Sequence, residues 1–229
     1  MSPLYLYALL AEPPAGVLPA GLGGEPMRLV SCEGVLAAVG EIGDAPPLEG
    51  SSLRAHDAAV RRLGALSPAV LPARFGSMAR DEAELSQALR PRLSALRAAL
   101  IAVRGCDQMT LRFSWSAAGA QRDEPVPEPP PEGGPGTRYL AARRAAAGDP
   151  RSVPEVARVL DALAPLVRGE RCERHERPPL VASVYHLVPR AALDEYQAAV
   201  AAAAEREERV RVTTSGPWPP YAFAPDEPA

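Results

Sequence analysis

RDEPVPEPPPEGGPGT, residues 122–137, decides how the rest of the chain is read. Proline, glycine and acidic residues dominate it, and Val126 is its one apolar side chain. Such a stretch buries too little surface to offset the entropy of ordering, and its prolines favour extended backbone. It therefore reads as a connection between two folded halves. Working outward, the expected organisation is an N-terminal α+β domain over 1–116, a Pro/Gly-rich linker over 117–137, a C-terminal helical and α/β domain over 138–215, and an aromatic, proline-rich tail over 216–229.

Upstream, LYLYALL (4–10) has the length and composition of a strand. MRLVSC (27–32) and GVLAAVG (34–40) meet at Glu33-Gly34, which predicts a hairpin with a tight turn. From Ser51 the period changes: Leu53, His56, Val60 and Leu63 recur at three and four, predicting a helix to about Leu66 with Ser51 or Ser52 as N-cap. AVLPARFG (69–76) follows as a short extended segment. Asp81 and Glu84 have capping-box spacing, and Leu85, Leu89, Leu93, Leu96 and Leu100 form the next apolar stripe. Pro91 predicts a kink or break in that helix. CDQMTLRFSW (106–115) alternates Met109, Leu111, Phe113 and Trp115 on one face, as a strand with one buried side does.

Downstream the same grammar returns. TRYLAARRAAAG and SVPEVARVLDALAPLVRG predict two helical segments, with Pro154 in a first turn and Pro165 at an end or kink. RCERHER suits a polar edge strand, PLVASVYHLVPR a buried one, and Leu193, Tyr196 and Val200 one more amphipathic helix before the alternating ERVRVTTSG. The fold class expected is α+β: two small domains, each a mainly antiparallel sheet with helices on one face, with the C-terminal tail packed on the second domain.

Composition narrows the function. A hydrophobic share of 47% is that of a folded chain, and a net charge of -3 gives no general attraction to nucleic acid or an anionic membrane. No run of about 18 apolar residues suggests a span. MSPLYLYALLAEPP lacks a basic start and a clean cleavage site, so no signal peptide is expected, and the three cysteines, odd in number and far apart, do not form a disulfide framework. A cytoplasmic location follows as the expectation.

The search for chemistry is short. GLGG (21–24) lacks the setting of a phosphate loop and reads as a loop between strands. Cys172 and His175 are three apart, but structural zinc takes four ligands, usually in paired clusters, so neither a metal nor a cofactor is expected. His56 and His186 fall on apolar faces, where a hydrogen-bonded core histidine is the simpler reading than a general base. No nucleophile elbow occurs, and no catalytic constellation emerges from Cys32, Cys106, Cys172 and the histidines, so a non-enzyme is expected. Arg74, in a short apolar segment, is expected to be partly buried in an ion pair, with partner recognition as the alternative.

Taken together, the segments resemble the gas vesicle accessory proteins of the F/L type (GvpF/GvpL). The residues that carry the likeness are Tyr5 and Tyr7 in the opening strand, GVLAAV at 34–39, His56 in its helix, and VLPARFG at 70–76 with Leu71, Pro72, Arg74, Phe75 and Gly76. TRYL (137–140), VASVYHLVPR and above all SGPWPPYAF, with Gly216, Pro217, Trp218, Pro219, Pro220, Tyr221 and Phe223, complete it. The chain departs from the pattern where Gly148, Pro150 and Pro154 interrupt what is usually one long charged helix. The resemblance implies a cytoplasmic, non-catalytic protein of gas vesicle assembly, built from two domains of variant ferredoxin-like form. Its implied partners are the very hydrophobic shell protein, which it keeps from aggregating or helps to nucleate, and other accessory proteins, with a possible lasting place in the vesicle itself. The rival readings are a ferredoxin-like module that binds a small regulatory molecule and a cysteine or histidine hydrolase.

The tail keeps its own alternatives. Three prolines restrict its unfolded states, and Trp218, Tyr221 and Phe223 offer a large rigid apolar surface, so a clamp folded onto the protein's own body is favoured. Presentation to a proline-motif reader and direct contact with the shell protein are the other uses.

Overall fold

A hairpin of the predicted kind opens the first sheet. In the computed structural model, which describes residues 2–117, 149–175 and 177–225, strand β2 (Met27–Cys32) turns into β3 (Val35–Glu41) through Glu33 at φ 47° and Gly34 at φ 85°. Both turn residues are left-handed, as a two-residue turn matching the strand twist requires, and glycine takes that conformation without steric cost. Strand β1 (Leu4–Leu10) runs antiparallel beside β3, with a register shift between Leu6 and Ala8. The spatial order is β2-β3-β1-β4, where β4 is Val70–Pro72, and β5 (Met78–Ala79) also pairs with β1.

Helix α1 (Gly50–Leu66) turns His56, Ala59, Val60 and Leu63 inward onto the face that carries Tyr5, Tyr7, Ala8 and Leu10. Its N-cap is Glu49, whose carboxylate accepts from the Ser51 hydroxyl at 2.8 Å, so neither serine caps the helix as expected. Helix α2 (Glu82–Leu89) begins with Asp81 accepting from the Glu84 amide at 2.8 Å, while the Glu84 carboxylate reaches back to the Arg80 amide. At Pro91 the helix gives way to a 3-10 turn, Arg90–Arg92, and α3 (Leu93–Val103) resumes. Leu85, Leu89, Leu93, Leu96 and Leu100 are all buried, so the break leaves the stripe on one side. Leu85, Leu89 and Leu96 share a cleft with Leu6, Leu9 and Leu71, which lie on the sheet face opposite α1. This sheet thus carries helices on both faces, where one covered face was expected.

The second sheet has the order β7-β8-β6-β9, with β6 Cys106–Trp115, β7 Gly169–Arg174, β8 Leu180–Pro189 and β9 Val210–Trp218. Helices α4 (Pro154–Leu163) and α5 (Leu193–Ala204) give it a core of Met109, Leu111 and Phe113 from β6, Val156, Val159, Leu160 and Leu163 from α4, and Tyr196 and Val200 from α5. Pro154 takes the first turn of α4, and Pro165 lies in the 3-10 turn that ends it. The polar strand β7 is indeed at the sheet edge.

The chain divides into two units, Met1–Gln108 with Pro217–Ala229, and Met109–Gly216. Two expectations change. The strand assigned to the first domain, β6, belongs to the second sheet, because its alternating apolar face fills the second core. The tail belongs to the first unit and not the second. The proline-rich stretch 122–137 and the helix expected from Thr137 lie outside the described residues.

Candidate functional site

The site is built where β4 stops. Ala8 faces Pro72 and Tyr5 faces Met78, so residues 73–77 stand opposite only Leu6 and Tyr7. The surplus leaves the sheet edge as an excursion. It is held by the Ala73 amide on the Tyr7 carbonyl (2.9 Å), the Ser77 amide on the Arg74 carbonyl (3.1 Å), and the Leu6 amide on the Ser77 carbonyl (2.9 Å). Pro72 can close β4 because this is an edge strand, where a missing amide donor is tolerated.

Within this excursion the predicted motif residues separate. Leu71 and Pro72 are buried in the sheet. Phe75 turns its ring to Tyr5 and His56, at centroid distances of 6.4 and 5.7 Å, and the Gly76 amide donates to the Tyr5 hydroxyl at 3.3 Å. Arg74 departs from expectation. It is exposed, and among the described residues no carboxylate pairs with it. The turn carries its side chain away from the core that would have forced a partner upon it.

His56 sits behind the excursion, 3% exposed. The Tyr5 hydroxyl lies 2.9 Å from Nδ1 and accepts from the Gly76 amide, which leaves its proton available to Nδ1. Among the described residues Nε2 has no hydrogen-bond partner within normal geometry. Burial lowers the pKa of this ring, and the Ala73 backbone and Asp57 oppose that without overcoming it. The histidine is a neutral core group, as the apolar face predicted. Next to it the Tyr7 hydroxyl accepts from the Leu22 amide at 2.8 Å and donates to Glu25. The glycine-rich loop 21–24 therefore serves as a cap on a core tyrosine.

The tail reaches the same region from the other end of the chain. Gly216 adopts φ 125°, a conformation open to glycine and strained for other residues, and the chain then enters the first unit. Arg61 of α1 donates to the Pro217 carbonyl at 3.2 Å and lies over the Trp218 ring at 4.3 Å from its centroid. Pro219 and Pro220 are buried. A single 3-10 turn, Tyr221–Phe223, follows. Its Tyr221 hydroxyl donates to Asp57 at 3.1 Å, and its Ala222 amide donates to the buried Gln108 side chain at 2.8 Å. Burial, then the Asp57 charge, raises the Tyr221 pKa, so the phenol stays protonated and keeps donating. No local pattern announces these partners: Asp57, Arg61 and Gln108 are ordinary polar residues, and only the i, i+4 spacing of the first two points to a shared surface.

Excursion, tail and helices enclose a cleft of about 940 Å³. Its apolar lining comes from Leu6, Leu9, Leu71, Leu85, Leu89 and Leu96, with Tyr221, Ala224 and Pro225 of the tail along one side. Arg92 donates to the Pro225 carbonyl, and Glu84 is held by Arg80 at 3.1 Å. Sequence reasoning singled out the motif and the tail separately. That they border one cleft is set by pairings across the chain that no local pattern announces.

The second unit holds a further titratable cluster. His186, fully buried, pairs with the Tyr196 hydroxyl at 2.8 Å and with Glu170 at 3.0 Å, and Arg151 binds the same carboxylate. The His186 hydrogen bond first, then Arg151, lowers the Glu170 pKa to about 2. Cys172 donates to Glu170 at 3.4 Å, and burial followed by that carboxylate pushes its thiol up to about 12. Cys172 is therefore a thiol and not a thiolate at neutral pH, the opposite of an activated nucleophile. Among the described residues no group of three or more His, Cys, Asp and Glu side chains could hold a metal ion, and no helix is long and apolar enough to cross a membrane.

Comparison with known proteins agrees over almost the whole chain. Residues 3–225 match the gas vesicle synthesis protein family GvpL/GvpF. Gas vesicle protein L of Streptomyces sp. (strain CB03234) is 28% identical over 248 residues, covering 96% of this chain and 92% of that protein. The crystal structure of the gas vesicle protein GvpF from Anabaena sp. PCC7120 superposes with a TM-score of 0.74 at 19% identity, covering 99% of this chain and 97% of that one. That of GvpF from Microcystis aeruginosa gives a TM-score of 0.74 at 17% identity, with 98% and 100% covered. The mixed α+β fold is theirs, and this chain belongs to the GvpL/GvpF family of gas vesicle synthesis proteins.

Proposed function

We propose that this chain is a non-catalytic accessory protein of gas vesicle assembly that binds the hydrophobic shell protein, keeping it from aggregating or helping it to nucleate the shell. The observation that carries this reading is the family match over residues 3–225. The chemistry of the buried groups supports it: the two core histidines are enclosed, and the Cys172 thiol, which shares Glu170 with His186, is held in its protonated form. A wall-forming protein that faces gas exposes large apolar surface before assembly, and such surface self-associates unless a partner covers it. The tail, in the same reading, is a clamp that braces the first unit and leaves another surface for the partner. The protein works in the cytoplasm and at the vesicle, alongside other gas vesicle accessory proteins.

Co-expression with the shell protein tests the proposal. Soluble shell protein should rise with this chain present and co-purify with it in fixed proportion. Shell protein that stays insoluble and uncaptured at every expression ratio would remove the basis for the reading.

A further inference from the structure

Among the described residues, the cleft in the first unit has one charge with no opposite charge paired to it. Of the charged side chains that line it, Glu84 is held by Arg80 and Arg92 donates to the Pro225 carbonyl. Arg74 stands exposed at the cleft with no paired carboxylate among the described residues. Its backbone is nevertheless fixed, because the excursion is hydrogen-bonded to β1 at both ends. Among the described residues the guanidinium is thus a cation without a paired carboxylate, on a rigid mount. Arginine in that position suits a planar carboxylate, which it binds through two parallel donors.

Ser77 and the Tyr221 hydroxyl aside, the remaining lining side chains are apolar, and its walls are stiff: Pro72 at the end of β4, Pro225 in the tail, and leucines from β1, β4, α2 and α3. A volume of about 940 Å³ stands near the top of the range of roughly 300–1,000 Å³ for ligand pockets, room for several side chains together. Preformed walls lower the ordering cost of binding.

From these features we infer that the cleft docks an apolar segment of the shell protein that carries a carboxylate, with the carboxylate on Arg74 and the apolar side chains against the leucine floor. The inference rests on the function proposed above and adds to it a place and a chemistry. The tail forms part of the seat, since Tyr221, Ala224 and Pro225 line it.

The test uses the full chain co-expressed with the shell protein. Arg74→Glu should weaken capture about ten-fold or more, and Arg74→Ala less, because reversal adds repulsion to the lost pair. Ala88→Arg, an exposed position of α2 on the cleft, should block entry, while Val17→Arg, on the surface outside the cleft lining, should leave capture unchanged. A benzoylphenylalanine at position 88 should crosslink to the shell protein and one at position 17 should not. Replacing one acidic residue of the shell protein by arginine should restore capture by Arg74→Glu. Melting curves identify variants that failed to fold, and the crosslinks, made in an otherwise unaltered chain, carry the test if either cleft variant does. If the unaltered chain captures shell protein and folded Arg74→Glu and Ala88→Arg capture it equally, the cleft is the wrong surface and the proposed function stands. If the unaltered chain captures none, both fall. A small molecule that co-purifies with the chain and is lost in Ala88→Arg would also overturn the inference, since the cleft would then be a metabolite pocket.

Discussion

His56 shows how one side chain can couple the first unit to pH. Its ring is neutral in the fold because burial outweighs the nearby backbone and Asp57, so the unfolded chain takes up a proton that the folded chain refuses. The stability this contributes is full above the unfolded value of about 6.5 and is lost as pH falls below it. Glu170 acts in a lower window: its folded carboxyl titrates at about 2 against an ordinary 4.5, so its contribution is full above 4.5 and lost as pH falls toward 2. Melting temperature followed against pH should therefore decline in two stages. His56→Phe should flatten the first and leave the second; an unchanged first stage would mean that this ring is not its source. Tyr221 gives a second measurement at this scale. Tyr221→Phe removes one hydrogen bond to a carboxylate that keeps Arg61 as a partner, so it should cost about 1 kcal/mol, a fall in Tm of about 2–4 °C. A variant that melts with the unaltered chain would show that the phenol contributes only its ring.

Among the elements, the tail is the one whose removal says most. Deleting residues 217–229 uncovers the surface under two buried prolines, removes Tyr221 from the first core and leaves the Gln108 side chain without the Ala222 amide. The expected loss is about 3 kcal/mol in the first unit, a fall of about 6–12 °C in its melting transition. A truncated chain that melts as before but no longer captures shell protein would make the tail a contact and not a clamp. The tail also marks the limit of what was legible beforehand. Local patterns carried most elements: the Glu33-Gly34 turn, the Asp81 cap, the break at Pro91 and the alternation of β6 all lie where backbone chemistry requires them. Long-range pairing was another matter. Nothing local says that β6 pairs into the second sheet, or that an aromatic turn adjoining β9 belongs with α1. The misreading of Arg74 has the same cause, since an apolar neighbourhood in sequence became an outward excursion once five residues had to fit opposite two.

At the scale of the whole molecule, the cysteines report on both units at once. Cys32 and Cys106 are buried in the first, and Cys172, in the second, is pushed up to about 12 by burial and Glu170. None of the three is in a disulfide, so a thiol reagent at pH 8 should react slowly with the native protein and count three groups once it is unfolded. Rapid reaction of Cys172 in the native state would contradict the environment described for it. The return of the tail to the first unit has a further consequence, for synthesis. Tyr221 is translated 164 residues after the Asp57 that accepts its hydrogen bond. At roughly 5–20 residues per second, the ribosome leaves that carboxylate waiting for about 8–33 s. Throughout that interval the nascent N-terminal fold is an unlatched box, its leucines open to whatever sticky chain is being made nearby.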